Sequence, residues 1–450
     1  MRNTFVTGAL VLCLSPGSAW ASGFALIETN AAGQGNAYAG AAAYTNDAST
    51  IFFNPAGLTF LQDDHIVLAS HLIMPKSDFT NKGSTAAAIL GGGPLTGPDD
   101  DGGFNAFVPN FYWVKTIDES MKIGLGVNTP FGLATKYDDN WVGRYHAVES
   151  DLKTVNFNPS IGYRINDKLS VGGGVNLILA DVILSSAIDF GAICVASFDL
   201  PTCTGLGAPP QGADGFADLE GDNFDDIGLG FNFGFIYQIS DRTRLGIAYR
   251  SEIDVEVDGE ADFRVPASTS FVLSSNLFVD TGLSADVTLP ASLSFSVSHR
   301  KEKITYLADI TFTGWSSFDE LRIVYDNPVQ PDSVTTESWE DSFRYSFGID
   351  YQYSDRIILR TGLAHDNSPV PSKERRTARL PGDHRTWISF GMGYQYSKEL
   401  SFDVGYSHLF IKGAEIDNEF ESSVPTLAAT LTGEYDATVD ILSAQLNWRY

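Results

Sequence analysis

The feature that most constrains the fold of this chain is an alternation of apolar and polar residues with period two. It is clearest in residues 442–450, where Leu, Ala, Leu, Trp and Tyr occupy every second position and Ser, Gln, Asn and Arg lie between them. The pattern recurs in residues 292–298, 343–353 and 388–396. Because successive side chains of a strand point to opposite faces, the alternation predicts β-strands with one apolar and one polar face.

Two kinds of connection separate these segments. Short polar turns lie at residues 118–120, 166–168, 240–242, 301–303, 354–356 and 397–399. Long connections rich in Gly, Pro and Asp lie around residues 80–103, 189–222, 260–283, 326–337, 367–383 and 413–436. Short turns on one side and long loops on the other are typical of outer-membrane barrels, so we predict an all-β fold, an antiparallel transmembrane β-barrel of about fourteen strands.

Aromatic residues at strand ends favour the same interpretation. Tyr237, Tyr351, Tyr353, Tyr394 and Trp448 fit an aromatic girdle at the membrane interface. The alternative is core packing in a soluble sandwich, which would have to bury these faces against a second sheet. A closed barrel can expose them to lipid and leaves no unpaired strand edge in the hydrocarbon.

The first residues predict export. Arg2 precedes an apolar run over residues 5–14, and Ala19, Trp20 and Ala21 follow as a small-x-small cleavage site. This pattern indicates a secretory signal peptide over residues 1–21, removed together with Cys13, and a mature chain that begins near Ser22. We therefore expect the protein in the outer membrane of a Gram-negative type cell.

Charge and cysteine content narrow the function further. A net charge of −27 disfavours nucleic acid as a partner, and solvated loops account for it. The seven histidines have no paired metal-ligand spacing, so neither a metal nor another cofactor is expected. Cys194 and Cys203 lie in a loop-like segment, and in an oxidising compartment a disulfide between them is favoured over a metal site.

Residues 22–62 break the alternation. Residues 31–43 are almost all small, and Phe52-Phe53-Asn54-Pro55-Ala56-Gly57-Leu58 follows. We predict that residues 22–62 form an N-terminal hatch, a plug inside the lumen of a barrel formed by residues 63–450. Small residues allow close backbone packing, and a barrel of about fourteen strands is wide enough to hold a plug.

Several motifs, in order along the chain, carry a resemblance to a known family. They are Ser22-Gly23-Phe24, the segment 33–40 (GQGNAYAG), Asp47-Ala48-Ser49-Thr50, the segment 54–58 (NPAGL), the segment 131–135 (FGLAT), Tyr249-Arg250-Ser251-Glu252, the segment 362–371 (GLAHDNSPVP) and the segment 403–407 (DVGYS). With these residues the chain resembles the FadL family of outer-membrane transporters for long-chain fatty acids and other hydrophobic compounds.

The resemblance implies a plugged fourteen-stranded barrel whose hatch motif is Asn54, Pro55 and Ala56. It also implies that ligand passes from an external groove to an interior pocket, shifts the hatch N-terminus, and leaves sideways at a kink in the third strand. The matching residues are Pro130, Phe131 and Gly132. Independently, proline offers no N–H to a sheet and glycine no side chain, so this strand should pair poorly there. The alternative is a strand that simply ends in a loop.

The resemblance also implies basic residues for a ligand carboxylate, but the matching positions are Ser186 and Thr335. Arg144, Arg250 and Arg360 are substitute candidates, unless they are solvated lumen residues or the cargo is neutral.

Two further assignments concern the hatch and the outer loops. Asp366 matches a position that faces the hatch, with a solvated strand-end carboxylate as the alternative. A separate set of apolar loop residues is the candidate external groove: Phe271, Leu273, Leu277 and Phe278.

Other function classes fit less well. A hydrolase would need a nucleophile motif such as Gly-x-Ser-x-Gly, and none occurs, so we predict that the protein is not an enzyme. A plug would serve no purpose in an adhesive barrel or an open diffusion porin. We expect passive, ligand-gated transport of hydrophobic molecules, most simply long-chain fatty acids, by a monomer surrounded by outer-membrane lipid and lipopolysaccharide. Neutral aromatic hydrocarbons or a non-specific porin are the alternatives.

Overall fold

The computed structural model describes residues 23–450, so the predicted signal peptide, Cys13 and the Ser22 start lie outside the described residues. Antiparallel pairing joins its strands into one sheet. The strands are β1 His65–Asn81, β2 Ala106–Thr116, β3 Met121–Asn128, β4 Gly132–Lys136, β5 Glu149–Arg164, β6 Leu169–Asp189, β7 Asp214–Asp222, β8 Gly228–Ser240, β9 Thr243–Arg250, β10 Ile253–Arg264, β11 Thr281–Leu289, β12 Ser292–Lys301, β13 Ile304–Thr313, β14 Glu320–Tyr325, β15 Ser333–Thr336, β16 Ser342–Ser354, β17 Ile357–Asp366, β18 Arg385–Gln395, β19 Leu400–Glu419 and β20 Thr430–Arg449.

The sheet closes into a barrel. β1 pairs with β20 from His65 opposite Arg449 to Asn81 opposite Gly433. Six passes through the wall are interrupted and consist of two strands each, namely β3/β4, β7/β8, β9/β10, β11/β12, β13/β14 and β15/β16, whereas eight strands cross singly. Within the described residues the wall therefore has fourteen passes, and the predicted antiparallel β-barrel of about fourteen strands is confirmed.

The outer wall carries the predicted apolar belt. In β8, Phe231, Phe233 and Phe235 are 52%, 42% and 40% exposed, while Asn232 between them is buried. Similar exposed rows occur on other strands: Phe295 and Val297; Phe343, Tyr345 and Phe347; Val404 and Tyr406. The belt has the period-two pattern of a lipid-facing surface.

Above the belt, the outward side chains become acidic. Strand β10 exposes Asp254, Glu256, Asp258 and Glu260, and buries Val255 and Val257 on its inner face. Carboxylates are costly on a lipid-facing surface, so this part of the sheet stands outside the hydrocarbon. Some residues that the sequence analysis assigned to long loops, including β7 and the end of β10, form strands. The alternation was not recognised there because the outer face of these strands is polar.

The hatch lies inside the lumen. It contains two short helices, α1 Ala31–Gly35 and α2 Thr50–Phe53, and a 3₁₀ helix over Pro55–Phe60. Outside the hatch the loops contain α3 Phe190–Ser197, α4 Leu200–Gly205 and four 3₁₀ helices, Ala88–Leu90, Ala267–Ser275, Trp315–Ser317 and Pro425–Leu427. No helix in residues 23–450 is long and apolar enough to cross a membrane.

Glycines on the inner wall allow the hatch to pack against the strands backbone to backbone. A Cβ on Gly391 would lie 2.6 Å from Cα of Gly35, and one on Gly348 would lie 2.6 Å from the carbonyl oxygen of Asn36. A Cβ on Gly362 would overlap the backbone of Asn36 and Ala37. Side chains at these wall positions would exclude the hatch.

The hatch is also held by polar contacts to the wall. Gln445 Oε1 accepts a bond from the N–H of Ala31 (2.8 Å), Gln34 Nε2 donates to the carbonyl of Ile441 (3.0 Å), and Asn36 Nδ2 donates to Asp350 (3.0 Å). Polar groups buried in this lumen need such partners, so the plug and the wall satisfy each other.

A substitution at Gly362 tests the seating of the hatch. Gly362→Val adds side-chain atoms where the hatch backbone lies, so we expect a displaced plug and a clear rise in ion conductance in planar bilayers. Gly93→Val is the control, because a Cβ on Gly93 has no neighbour within 4 Å. Unchanged conductance in a folded Gly362→Val protein would contradict the close packing.

Candidate ligand path and gate

Asn54 of the hatch motif is fully buried and joins hatch to wall. Its Nδ2 donates to the carbonyls of Ala42 (2.7 Å), Phe235 (3.1 Å) and Ile247 (3.2 Å). Its Oδ1 accepts a hydrogen bond from the N–H of Ala56 (3.1 Å). Asn54 thereby caps the N-terminus of the 3₁₀ helix that begins at Pro55. A side chain with both a donor and an acceptor is needed to make this set of bonds.

The third pass of the wall is interrupted at Thr129-Pro130-Phe131, between β3 and β4. Strand β3 pairs with β2 over Phe111–Thr116, but among the described strands β4 pairs only with β5. Among the described strands, residues 106–110 of β2 pair only with β1. We call the space between residues 106–110 and β4 the wall gap. Pro109 and Pro130 border it, and neither has an N–H to donate.

A segment of the hatch, Gly23–Glu28, lies in the wall gap, and we call it the N-terminal segment. The N–H of Leu26 donates to the carbonyl of Pro130 (2.8 Å), and the N–H of Gly132 donates to the carbonyl of Phe24 (3.0 Å). On the other side, Asn110 Nδ2 donates to the carbonyl of Glu28 (3.1 Å). The segment thus takes the place of a missing strand pairing in the wall.

Phe24 of this segment inserts into an aromatic pocket. Its ring centroid lies 4.8 Å from Trp315, 5.6 Å from Phe318, 5.7 Å from Trp339 and 5.9 Å from Phe131. The edge-to-face contacts are the favoured geometry for aromatic pairs. The sequence analysis did not identify Trp315, Phe318 and Trp339 as pocket residues. The feature that could have identified them is an aromatic side chain at an interrupted pass, the ninth for Trp315 and Phe318 and the tenth for Trp339.

Two cavities meet at the N-terminal segment. The inner cavity lies between hatch and wall and is lined by Phe53, Phe131, Tyr249, Arg250, Arg344 and other residues. The outer cavity is lined by Ile73, Leu133, Trp339, Leu380, Leu409 and others. Ala25, Leu26, Glu28 and Arg385 line both cavities. Movement of this segment would therefore alter the partition between them.

Arg385 and Asp366 hold the segment and the hatch in different ways. Arg385 Nη2 donates to the carbonyl of Gly23 (2.9 Å). Asp366 is 1% exposed, accepts from Trp387 Nε1 (2.7 Å) and forms an ion pair with Arg344 (2.9 Å). Arg344 in turn donates to the carbonyl of Ala37 (2.7 Å), so Asp366 reaches the hatch through Arg344.

The three candidate arginines do not come together. Arg144 forms an ion pair with Asp214 (2.8 Å), and Arg360 with Asp403 (2.6 Å), so both are already neutralised by carboxylates.

Arg250 is the one of the three that lines the inner cavity. It donates to the carbonyl of Phe52 (3.0 Å) and to Asn176, and it lies 4.6 Å above the Phe52 ring. Ser186 lies opposite Ala217 in β6–β7, and Thr335 opposite Leu321 in β14–β15.

The candidate outer groove forms an apolar patch on the loops. Phe271 packs on Phe198 (5.3 Å between centroids), and Phe278 on Phe190 (5.0 Å). Leu273 is 41% exposed, and Leu277 is half-buried. The Cys194 and Cys203 sulfurs are 2.06 Å apart and link α3 to α4 beside Phe271. In residues 23–450, no group of His, Cys, Asp or Glu is arranged to hold a metal ion.

The fold and these contacts define a transmembrane β-barrel that is closed by an internal hatch. Residues 12–450 match the family model described as outer membrane protein transport protein (OMPP1/FadL/TodX), and the chain belongs to this family. It is 31% identical over 439 residues to the 47 kDa outer membrane protein of Pasteurella multocida, covering 96% of each chain.

Two further comparisons agree. The chain is 29% identical over 421 residues to the long-chain fatty acid transport protein of Escherichia coli O6:H1, covering 89% of this chain and 90% of the relative. The crystal structure of a Pseudomonas aeruginosa FadL homologue superposes with a TM-score of 0.84 at 24% identity, covering 95% of this chain and all of that one. The protein is therefore an outer-membrane transporter of hydrophobic compounds, in a family of transport channels rather than enzymes.

A substitution at Asn54 tests the hatch motif. Asn54→Ala removes four hydrogen bonds and leaves buried carbonyls unpaired, so we expect a loss of about 1–3 kcal/mol of stability. Asn54→Ala should unfold at a lower midpoint concentration of denaturant than the wild type, and bilayer recordings of the variant should show a leak current. Asn140→Ala, at an exposed position in the loop between β4 and β5, is the control; equal stability of the two variants would refute the role of Asn54.

Proposed function

We propose that this protein takes up long-chain fatty acids by passive diffusion, gated by displacement of the N-terminal segment, with lateral exit through the wall gap. The observation that carries the proposal is the position of this segment, hydrogen-bonded to Pro130 and Gly132 where β4 has no second partner strand among the described residues. A wall closed by a short peptide can open without breaking the barrel.

The attachment of the segment is weak enough for a ligand to release it. Two backbone bonds to the third pass, one bond from Asn110, one from Arg385 and the burial of Phe24 hold it. Each hydrogen bond is worth about 0.5–1.5 kcal/mol net. An acyl chain gains about 0.8 kcal/mol for each methylene it buries, so a long chain in the Phe24 pocket can offset the loss of these bonds.

Lateral exit suits an apolar cargo. Outside the wall gap, Phe104 and Phe107 are 47% and 68% exposed, so the surface beside it is apolar. A ligand that passes from the aromatic pocket into lipid never exposes its methylenes to bulk water. Because ligand moves down its gradient, no energy source is needed at this step.

A second cargo class, neutral monoaromatic hydrocarbons, is favoured by one specific observation. The pocket already holds a single phenyl ring, that of Phe24, with four aromatic side chains around it. A benzene-sized molecule could occupy the same space with the same edge-to-face contacts.

The wall gap is tested by Gly132→Arg. A Cβ on Gly132 would already lie 2.8 Å from Cδ1 of Leu26, and the rest of the arginine would fill the gap with a cation. We expect uptake of radiolabelled oleate by cells to fall at least tenfold while the folded, heat-modifiable barrel persists.

The control for this experiment is Gly93→Arg in the loop between β1 and β2. A Cβ there has no neighbour within 4 Å, so it adds an arginine to the protein without touching the hatch. Oleate uptake at the wild-type rate by a folded Gly132→Arg protein would require the lateral route to be abandoned.

Phe24→Ala distinguishes the two cargo classes. Removing the ring vacates the aromatic pocket, so binding of toluene, followed by fluorescence of Trp315 and Trp339, should tighten several-fold if the pocket accepts monoaromatics. Phe271→Ala, on the outer loops, is the control. Unchanged toluene affinity in Phe24→Ala would exclude the aromatic candidate for this pocket.

A further inference from the structure

Loop 367–384 carries a cation into the barrel mouth. The loop is clamped from two sides, because Tyr137 Oη donates to the carbonyl of Ala378 (2.9 Å) and Thr135 Oγ1 donates to the carbonyl of Arg379 (3.3 Å). An ion pair between Arg376 and Asp383 (2.7 Å) braces its base. The position of Arg379 is therefore fixed by the fold.

The guanidinium of Arg379 is bonded to neutral groups. Its Nη1 donates to the carbonyl of Glu149 (3.0 Å), to Ser150 Oγ (2.9 Å) and to the carbonyl of Ser185 (3.3 Å). Within residues 23–450, Nε and Nη2 donate no hydrogen bond and no carboxylate lies within ion-pair distance. The side chain is partly exposed, and two donors in a fork have no partner among the described residues.

Glu337 is the acidic residue with the strongest electrostatic influence on Arg379. Glu337 is 4% exposed, and its Oε2 accepts from Trp339 Nε1 (2.8 Å). Burial raises the pKa of Glu337 to about 8, and the negative charge of Glu421 adds to this rise. The hydrogen bond from Trp339 and the positive charges of Arg379 and Arg375 act in the opposite direction. Burial thus disfavours the charged form of Glu337, and among the described residues no ion pair joins Glu337 to Arg379.

Apolar side chains lead from Arg379 toward the Phe24 pocket. Ser150, its hydrogen-bond partner, lies opposite Leu184. Leu152, two residues further along the same face of β5, and Leu380, the next loop residue, pack on the cluster that contains Phe24 and Trp339. A cation at one end of an apolar surface is suited to a molecule with one anionic end and one apolar end.

We propose that Arg379 is the binding residue for the carboxylate of an anionic amphiphile, whose chain lies along this apolar surface toward Phe24. The open Nε and Nη2 donors bind the carboxylate in the bidentate manner that arginine favours. The assignment rests on the proposed function and refines it, because it makes a fatty acid rather than a neutral hydrocarbon the ligand of this site.

The test compares oleate with oleyl alcohol, which has the same chain and no charge, on the detergent-purified full-length protein by calorimetry. Arg379→Gln should weaken oleate binding at least tenfold and leave alcohol binding unchanged. Lys373→Gln is the matched control, since Lys373 lies in the same loop and pairs with Asp417 (3.1 Å). Equal oleate affinity in Arg379→Gln and wild type, or an equal loss for both probes, would overturn the assignment.

A pH series provides a second measurement that does not need a variant of Arg379. Between pH 7 and 9, Glu337 ionises through its raised pKa of about 8, and its carboxylate then competes for Arg379. Oleate affinity should therefore fall several-fold in this range, and Glu337→Gln should abolish the fall. The same pH dependence in wild type and Glu337→Gln would contradict the proposal, including when Arg379→Gln does not fold.

The two proposals fail in different ways. If the wild-type protein binds neither oleate nor oleyl alcohol, the proposed function is refuted, and the role of Arg379 is refuted together with it. If the wild type binds both and Arg379→Gln binds oleate equally well, only the role of Arg379 is refuted.

Discussion

Every other feature of this protein depends on backbone hydrogen bonding within the barrel wall. A bilayer offers no partners for free N–H and C=O groups, so a sheet in it must close on itself. The long pairing of β1 with β20 achieves this closure. Between residues 106–110 and β4 the described wall lacks a strand pairing, and the N-terminal segment fills this place. The N-terminal segment thus supplies backbone partners where the wall lacks them.

The hatch and the wall are fitted to each other by size as well as by hydrogen bonding. Glycines such as Gly362 and Gly391 remove side chains from the inner wall where α1 lies, and Asn54 supplies donor and acceptor groups where backbone carbonyls meet. The buried ion pair of Arg344 and Asp366 also connects the hatch to the wall, because Arg344 donates a hydrogen bond to the carbonyl of Ala37. The hatch is therefore held both by close backbone packing and by hydrogen bonds to the wall.

The charged and apolar groups are sorted by height along the barrel. Aromatic and aliphatic side chains face lipid on the lower strands, while β10 carries carboxylates on its outer face above them. Inside, some arginines are matched to carboxylates, as Arg144 and Arg360 are, whereas Arg250 and Arg385 are bonded to neutral groups. Arg379 is bonded only to neutral groups in the described chain. Burial of a charge without an ionic partner is costly.

The sequence by itself determined the barrel, because the alternation in segments such as residues 442–450 has one stable arrangement in lipid. It also indicated the hatch, through the small residues 31–43, and the interruption at Pro130 and Gly132, through backbone chemistry. Only the tertiary structure decided what fills that interruption and which arginines are free. Phe24 meets Trp315 and Trp339 across distant strands, and Arg144 meets Asp214 across a loop. Those pairings depend on how closure of the sheet brings remote residues together, and local sequence carries no record of it.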